Sequence, residues 1–234
     1  MKNEILLIPD KPDSERDSIA NSWENNGGDV LRIGKFWEKP EIGSKRITIY
    51  GNDTFCLVLA QVLGIDLVMV KDELIGKLDS KWIKRKIELF SINRIGEILF
   101  PTFIKPVKPK IFKSKVYDSL VSFKKETEGI DTKETIIRSD IVTISSEVRA
   151  FILNREILDM AVYEGKGNLN QAKLFLTDFL NECHGSLPNT FVIDLGYNDF
   201  NKWFIIELNS SWGAGLNSCH PDKVIKGIRA ATIN

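Results

Sequence analysis

Two apolar runs, "TFVIDLGY" and "WFIIELN", are separated only by the turn-rich "NDFNK". Runs of β-branched and aromatic residues joined by so short a polar link predict a β-hairpin. With Asp199 to Lys202 as the loop, Asn198 pairs with Trp203 and the register carries Asp194 opposite Glu207. Side chains alternate along a strand, so Asn209 shares the face of Glu207, roughly 7 Å further on. Directly opposed like charges destabilise a sheet. A bound divalent cation relieves that repulsion, and an all-oxygen ligand set suits magnesium. The competing register, slipped by one residue, turns Asp194 to the other face and leaves both acids as surface groups at a strand end.

The chain of 234 residues is long enough for one large domain or two small ones. Its 32 Lys and Arg balance 32 Asp and Glu, so no global basic field draws it to nucleic acid. The apolar start "MKNEILLIPD" is too short for a signal peptide, and no apolar run has the length of a membrane span. A soluble, cytoplasmic protein is expected. Its three cysteines are odd in number and widely spaced, which argues against a disulfide framework. The Cys183-His184 and Cys219-His220 pairs lack the usual zinc-ligand spacings.

From the N-terminus, "EILLI", "DVLRI" and "KRITIYG" read as strands. A helix stopped by Gly27-Gly28 follows the first. "NDTFCLVLAQVLG" reads as a buried helix with Asn52 or Asp53 as cap and Gly64 as stop, and "IDLVMV" as a further strand. This alternation predicts a small parallel α/β unit. No G-x-G-x-x-G follows the first strand, so a dinucleotide site is not indicated. Residues 72 to 98 have a charged, helical pattern, with Trp82, Ile83, Lys86, Ile87 and Phe90 on one face. From about Leu99 strands follow one another with short turns, which predicts an α+β part with an antiparallel sheet. Two helices interrupt it: "NQAKLFLTDFLNECHG", capped by Asn170, and "PDKVIKGIRAAT", with Pro221 in its first turn.

Two more stretches carry charge in a suggestive order. "TFIKPVKPKIFKSK" places Lys105, Lys108, Lys110, Lys113 and Lys115 within eleven residues, with Lys105 at the end of an apolar run. Lysine is a good point charge for phosphate, although such runs are more often solvated loops. The run has no glycine, so a cradle of backbone N–H groups is not indicated. In "SSEVRAFILN", Glu147 and Arg149 share one strand face. Arg149 could clamp an anion that Glu147 orients, or the two could be an ordinary ion pair on a sheet surface.

Taken in order, "FIKPVKPKIF", "SSEVRAFI", "FVIDLGY" and "WFIIELNSSWGAGL" resemble the ATP-grasp superfamily. The match is closest to the short clade named for two arginines and a lysine. The resemblance implies an α/β plus α+β architecture. A small N-terminal parallel α/β domain, residues 1–75, would precede an ATP-binding domain of two α+β lobes with antiparallel sheet, residues 76–234. It also implies roles. Lys105 would contact nucleotide phosphate, and Lys110 would be the clade's second lysine, serving both binding and catalysis. The backbone from Arg138 through Ser139 and Asp140 to Ile141 would read adenine, with Glu147 on the nucleotide side as well. Arg149 would face the transferred phosphate or the carboxylate substrate. Arg85 would be the other catalytic arginine, unless Arg94 takes that part. Asp194, Glu207 and Asn209 would be magnesium ligands. Trp212 either lines the acceptor pocket or packs at a lobe interface.

The implied activity is an ATP- and magnesium-dependent carboxylate–amine ligase working through an acyl phosphate. Its substrates would be small-molecule or peptide carboxylates and amines. Many members of the superfamily cover the phosphates with a glycine-rich loop, and here that region is rich in lysine and proline. Two alternatives therefore stand beside the ligase: an ATP-binding module without turnover, and a structural or interaction protein whose acids are surface groups.

Overall fold

The chain is described here by a computed structural model covering residues 1–108, 111–183, 185 and 187–233. In chain order its elements begin with β1 (Glu4–Pro9), α1 (Ser14–Asn25), β2 (Asp29–Ile33), β3 (Arg46–Ile49), α2 (Asp53–Leu63) and β4 (Asp66–Leu67). Two 3₁₀ turns, Asp72–Lys77 and Ile92–Glu97, flank the short α3 (Ser80–Ile83) and β5 (Ile87–Ser91). Then come β6 (Thr102–Pro106), β7 (Lys115–Tyr117), α4 (Leu120–Glu126) and β8 (Thr135–Ser139). The chain ends with β9 (Ser146–Leu153), β10 (Glu156–Gly165), α5 (Leu169–Glu182), β11 (Thr190–Asn198), β12 (Lys202–Asn209), α6 (Pro221–Ala230) and β13 (Thr232–Ile233).

The N-terminal unit is a parallel sheet in the order β2-β1-β3. α2 forms where the sequence supplies both ends. The Asn52 side chain accepts from the Phe55 N–H, and Gly64 takes the left-handed conformation that ends the helix. Two antiparallel sheets follow, β5-β8-β6-β7 and β10-β9-β11-β12. The architecture is mixed α/β, then α+β with antiparallel sheets.

The second antiparallel sheet is buried on both faces. Val148, Ala150, Ile152, Ile193 and Leu195 meet Leu176 and Phe179 of α5 on one side. Phe151 and Val192 face the other way, against Leu6, Ile19, Trp23 and the Val224, Ile225 and Ile228 stripe of α6. That second face matters most, because Arg149 and Asp194 lie on it, one row further along the same strands. The N-terminal unit therefore packs beside the charged row.

Several sequence expectations change. "IDLVMV" is a strand only at Asp66–Leu67, which pairs antiparallel with β13 instead of joining the parallel sheet. Residues 72–98 are not one helix. Ile87–Ser91 pairs with β8 as a strand, so tertiary pairing overrides a pattern that fitted a helical face. Arg85 consequently sits just past a four-residue helix, after Lys84 in a left-handed turn. α5 starts two residues earlier than read, capped by Asn168 rather than Asn170. β8 stops at Ser139, and residues 140–144 run as open chain between the two antiparallel sheets.

The hairpin departs in detail while arriving at the same pairing. Asn198 pairs with Lys202, one residue tighter than expected. The Asn198 side chain accepts from the Asn201 N–H, which favours the tight turn. A β-bulge between Asp194 and Leu195, with Ile206 as the extra residue opposite, absorbs the offset and sets Asp194 against Glu207.

Candidate active site

The site is built outward from one row of the β9-β11-β12 sheet. Arg149, Asp194 and Glu207 are register partners across three adjacent strands. Arg149 donates to Asp194 twice, Nε to Oδ1 at 2.8 Å and Nη2 to Oδ2 at 2.6 Å. This bidentate pair is buried, with Arg149 8 % and Asp194 2 % exposed. Burial pushes the Asp194 carboxyl up to about 6. Arg149 acts against that rise and the neighbouring Glu207 adds to it. Arg149 Nη1 donates to the Gly215 carbonyl at 2.9 Å.

Glu207 is half-buried and meets the first antiparallel sheet. Lys105 Nζ, from β6, stands 3.8 Å from Glu207 and 2.9 Å from Asp72. Asn209 Nδ2 donates to Glu207 Oε1 at 2.9 Å, which leaves its own amide oxygen for a further partner. Nothing in the motif pattern marked Asp72. It lies in a 3₁₀ turn, and only the folded chain brings it to Lys105.

Two cavities meet at these groups. The first, of about 300 Å³, has walls of Ile75, Ile87, Phe103, Ile137, Phe204 and Leu208, with Lys105 and Glu207 at its end. Ser139, Asp140 and Ile141 line it too. Ile141 and Val142 make no backbone–backbone hydrogen bond among the described residues, so their amide groups can serve a flat heteroaromatic ring. The second cavity, of about 430 Å³, is more polar. Arg149, Asn209, Trp212 and the Gly213–Gly215 backbone face Asp53, Leu57 and Met69 of the N-terminal part. Asp72, Lys105, Glu207 and Leu208 line both.

Other expected residues lie further off or are otherwise engaged. Arg85 lines the first cavity, yet its guanidinium donates to the carbonyls of Ile205 (2.7 Å), Ile206 (2.9 Å) and Ile83 (3.0 Å) and to Ser139 Oγ (3.1 Å). A bulge leaves backbone groups without ladder partners, and Arg85 supplies them. Burial lowers its pKa to about 10, which still leaves it charged at neutral pH. Arg94, the competing arginine, is paired with Glu97 on the surface. Arg138 binds Thr102 Oγ1 and pairs with Glu88 and Asp140, and it lines neither cavity. Glu147 accepts from the Tyr163 hydroxyl and lines neither cavity. Trp212 packs in the core with Phe55, Cys56 and Leu59 of the N-terminal part, and it also lines the second cavity. Lys110 and His184 lie outside the described residues.

Among the described residues no group of three His, Cys, Asp or Glu side chains is arranged to hold a metal ion. Glu207 and Asn209 open onto the second cavity, while Asp194 lines neither and has both oxygens engaged by Arg149. The donor set still fits a hard cation. Two carboxylates adjoin, Glu207 raising the cost of ionising Asp194, and an amide oxygen stands beside them.

The sequence profile of the family described as "ATP-grasp domain, R2K clade family 2" matches residues 82–227. The chain is an ATP-grasp protein of the R2K clade. No curated protein matches it. Solved ATP-grasp structures share its fold at low identity. The RimK domain ATP-grasp protein from Sphaerobacter thermophilus DSM 20745 superposes with a TM-score of 0.62 at 11 % identity, over 97 % of this chain and 98 % of that one. The D-alanine–D-alanine ligase from Bacillus anthracis, crystallised with ATP, gives 0.58 at 13 %, over 97 % and 96 %. The ATP-grasp ligase PsnB, complexed with a minimal precursor, gives 0.57 at 9 %, over 99 % and 100 %. In this ATP-grasp chain the two cavities lie on either side of Lys105 and Glu207. No described helix is long and apolar enough to cross a membrane.

Proposed function

We propose that this ATP-grasp protein is an ATP-dependent carboxylate–amine ligase, in which residues 1–75 complete a catalytic domain formed by residues 76–234. The observation that carries the reading is the meeting of an apolar slot and a polar pocket at Lys105, Asp72 and Glu207. Adenine fits the slot, with the open backbone at Ile141 and Val142 at its edge. The phosphates then run toward Lys105. A carboxylate held near Arg149 attacks the γ-phosphorus, the bond to the β-phosphate oxygen breaks, and ADP and an acyl phosphate form. An amine attacks the acyl carbon, phosphate departs with the C–O electron pair, and the amine's proton passes to solvent. No protein nucleophile is required, because phosphoryl transfer depends on positioning and charge neutralisation. Glu207 and Asn209, with Asp194 behind them, would hold magnesium, which supplies charge neutralisation at the phosphates.

The likeness to solved ligases supports this chemistry at the level of fold, and an amino acid or peptide is the substrate class it suggests. The test is ADP release from ATP and magnesium across amino acids and dipeptides, alone and in pairs, with Lys105→Ala as control. A pair that releases ADP and phosphate in equal amounts, in wild type only, is the expected result. The glycine-free segment after β6 favours a second reading, binding without turnover. Nucleotide that binds tightly while no pair releases ADP would establish it.

Asp72→Asn is expected to tighten nucleotide binding about fivefold by titration calorimetry, since it removes an anion from the phosphate-facing lysine, worth ~1 kcal/mol in a wet site. Weaker binding would instead mean that Asp72 serves to hold Lys105 in place.

A further inference from the structure

The wall of the second cavity is a loop, residues 210–218, held by the N-terminal unit at several points. The Gly51 N–H donates to the Trp212 carbonyl at 3.0 Å, and the Tyr50 hydroxyl to the Ala214 carbonyl at 2.9 Å. The third hold is of another kind. Glu15, in the first turn of α1, accepts from the Leu216 N–H at 2.9 Å and the Asn217 N–H at 2.8 Å. Hydrogen bonds to a carboxylate are roughly twice as strong as neutral ones.

The chain beside this hold is locally strained. Asn217 and Ser218 both have positive φ, 45° and 71°, which non-glycine residues adopt rarely. Just before it stands Gly215, whose carbonyl accepts from Arg149 Nη1. A Cβ at Gly215 would run into the Glu15 carboxylate and lie 3.9 Å from Arg149 Nη1. A carboxylate from the N-terminal unit thus grips, at the Leu216 N–H, the same planar peptide unit whose Gly215 carbonyl receives the buried arginine. Glu15 itself lines neither cavity.

We propose that Glu15 is a positioning residue for Arg149: by clamping Leu216 and Asn217 it fixes the Gly215 carbonyl, and through it the guanidinium that faces the anionic group of the reaction. The inference rests on the reading of Arg149 given above. It adds a part for the N-terminal unit, which sets the geometry of a group in the neighbouring sheet.

The test compares wild type with Glu15→Gln and Glu15→Ala in the full chain. Three quantities are measured: amide hydrogen exchange over residues 213–218, the ¹⁵N resonance of Arg149 Nε (assigned by its loss in Arg149→Lys), and the affinity of the ADP–magnesium complex for inorganic phosphate. In Glu15→Ala, exchange in the loop should rise tenfold or more, the Arg149 resonance should move, and phosphate affinity should fall at least fivefold. ADP–magnesium affinity should stay within twofold. Glu15→Gln keeps one acceptor oxygen and should fall between the two; it carries the test if the alanine variant does not fold. Faster loop exchange with an unmoved Arg149 resonance would overturn the proposal, leaving Glu15 a loop staple only. Failure of wild type to bind ADP–magnesium would count against the ligase reading, while exchange and the Arg149 resonance would still decide the part of Glu15.

Discussion

Replacing Arg149 by methionine is expected to lower the melting temperature by about 6–20 °C in metal-free buffer at neutral pH. The variant removes one partner of a buried, bidentate pair and leaves Asp194 uncompensated. Such a break costs about 3–5 kcal/mol, and each kcal/mol shifts a chain of this size by about 2–4 °C. Arg149→Met combined with Asp194→Leu should recover most of the loss, because an apolar pair of similar volume needs no desolvation of charge. Acid should help the single variant. In the wild type the Asp194 carboxyl titrates at about 6 against 3.8 unperturbed, and Arg149 is what opposes a further rise. Without Arg149 the native state binds more protons than the unfolded chain across a wider window, so stability falls as pH rises through it. The single variant is therefore expected to regain ground on wild type at pH 5. A melt within about 2 °C of wild type, or a double variant no better than the single, would show that the pair carries little.

The second large effect concerns ligand. Wild type with magnesium and ADP at about a hundredfold the dissociation constant should gain roughly 2.7 kcal/mol, a rise of about 5–10 °C. Glu207→Ala should show almost none of that rise, and chelation of magnesium should abolish it in wild type. Asn209→Ala should keep an intermediate shift, since the amide is a neutral ligand that also donates to Glu207. A full shift in Glu207→Ala would remove Glu207 from the cation site. No shift with any purine nucleotide in wild type would sink the ATP reading altogether.

Much of this was open to a reader of the sequence, for reasons that can be named. β11 and β12 are long, apolar and joined by a short link, so their pairing could be foreseen, while Asp194 meets Glu207 only because the bulge at Ile206 offsets a turn one residue tighter than expected. α2 and α6 carry end signals in the sequence, the caps Asn52 and Gly64 for one and the first-turn Pro221 for the other. What was not legible depends on contacts distant along the chain. Ile87–Ser91 becomes a strand only because β8 lies beside it. Asp72 and Glu15 carry no motif and matter through partners 33 and 201 positions away, Lys105 and Leu216. The expectation for Arg149 omitted its pairing partner, because Asp194 was read only as a metal ligand. Arg85 was read as catalytic, and no spacing rule reveals that its guanidinium meets the carbonyls of a bulge.

That bulge has a practical side. The register of the charged row is pinned by Ile206 and the Arg85 guanidinium, not by the length of the turn at the far end of the hairpin. The turn, with Phe200 94 % exposed at its tip, does not set that alignment. It is a natural attachment point, where a fluorophore, an affinity tag or a few inserted residues can enter without disturbing the alignment of Asp194 and Glu207.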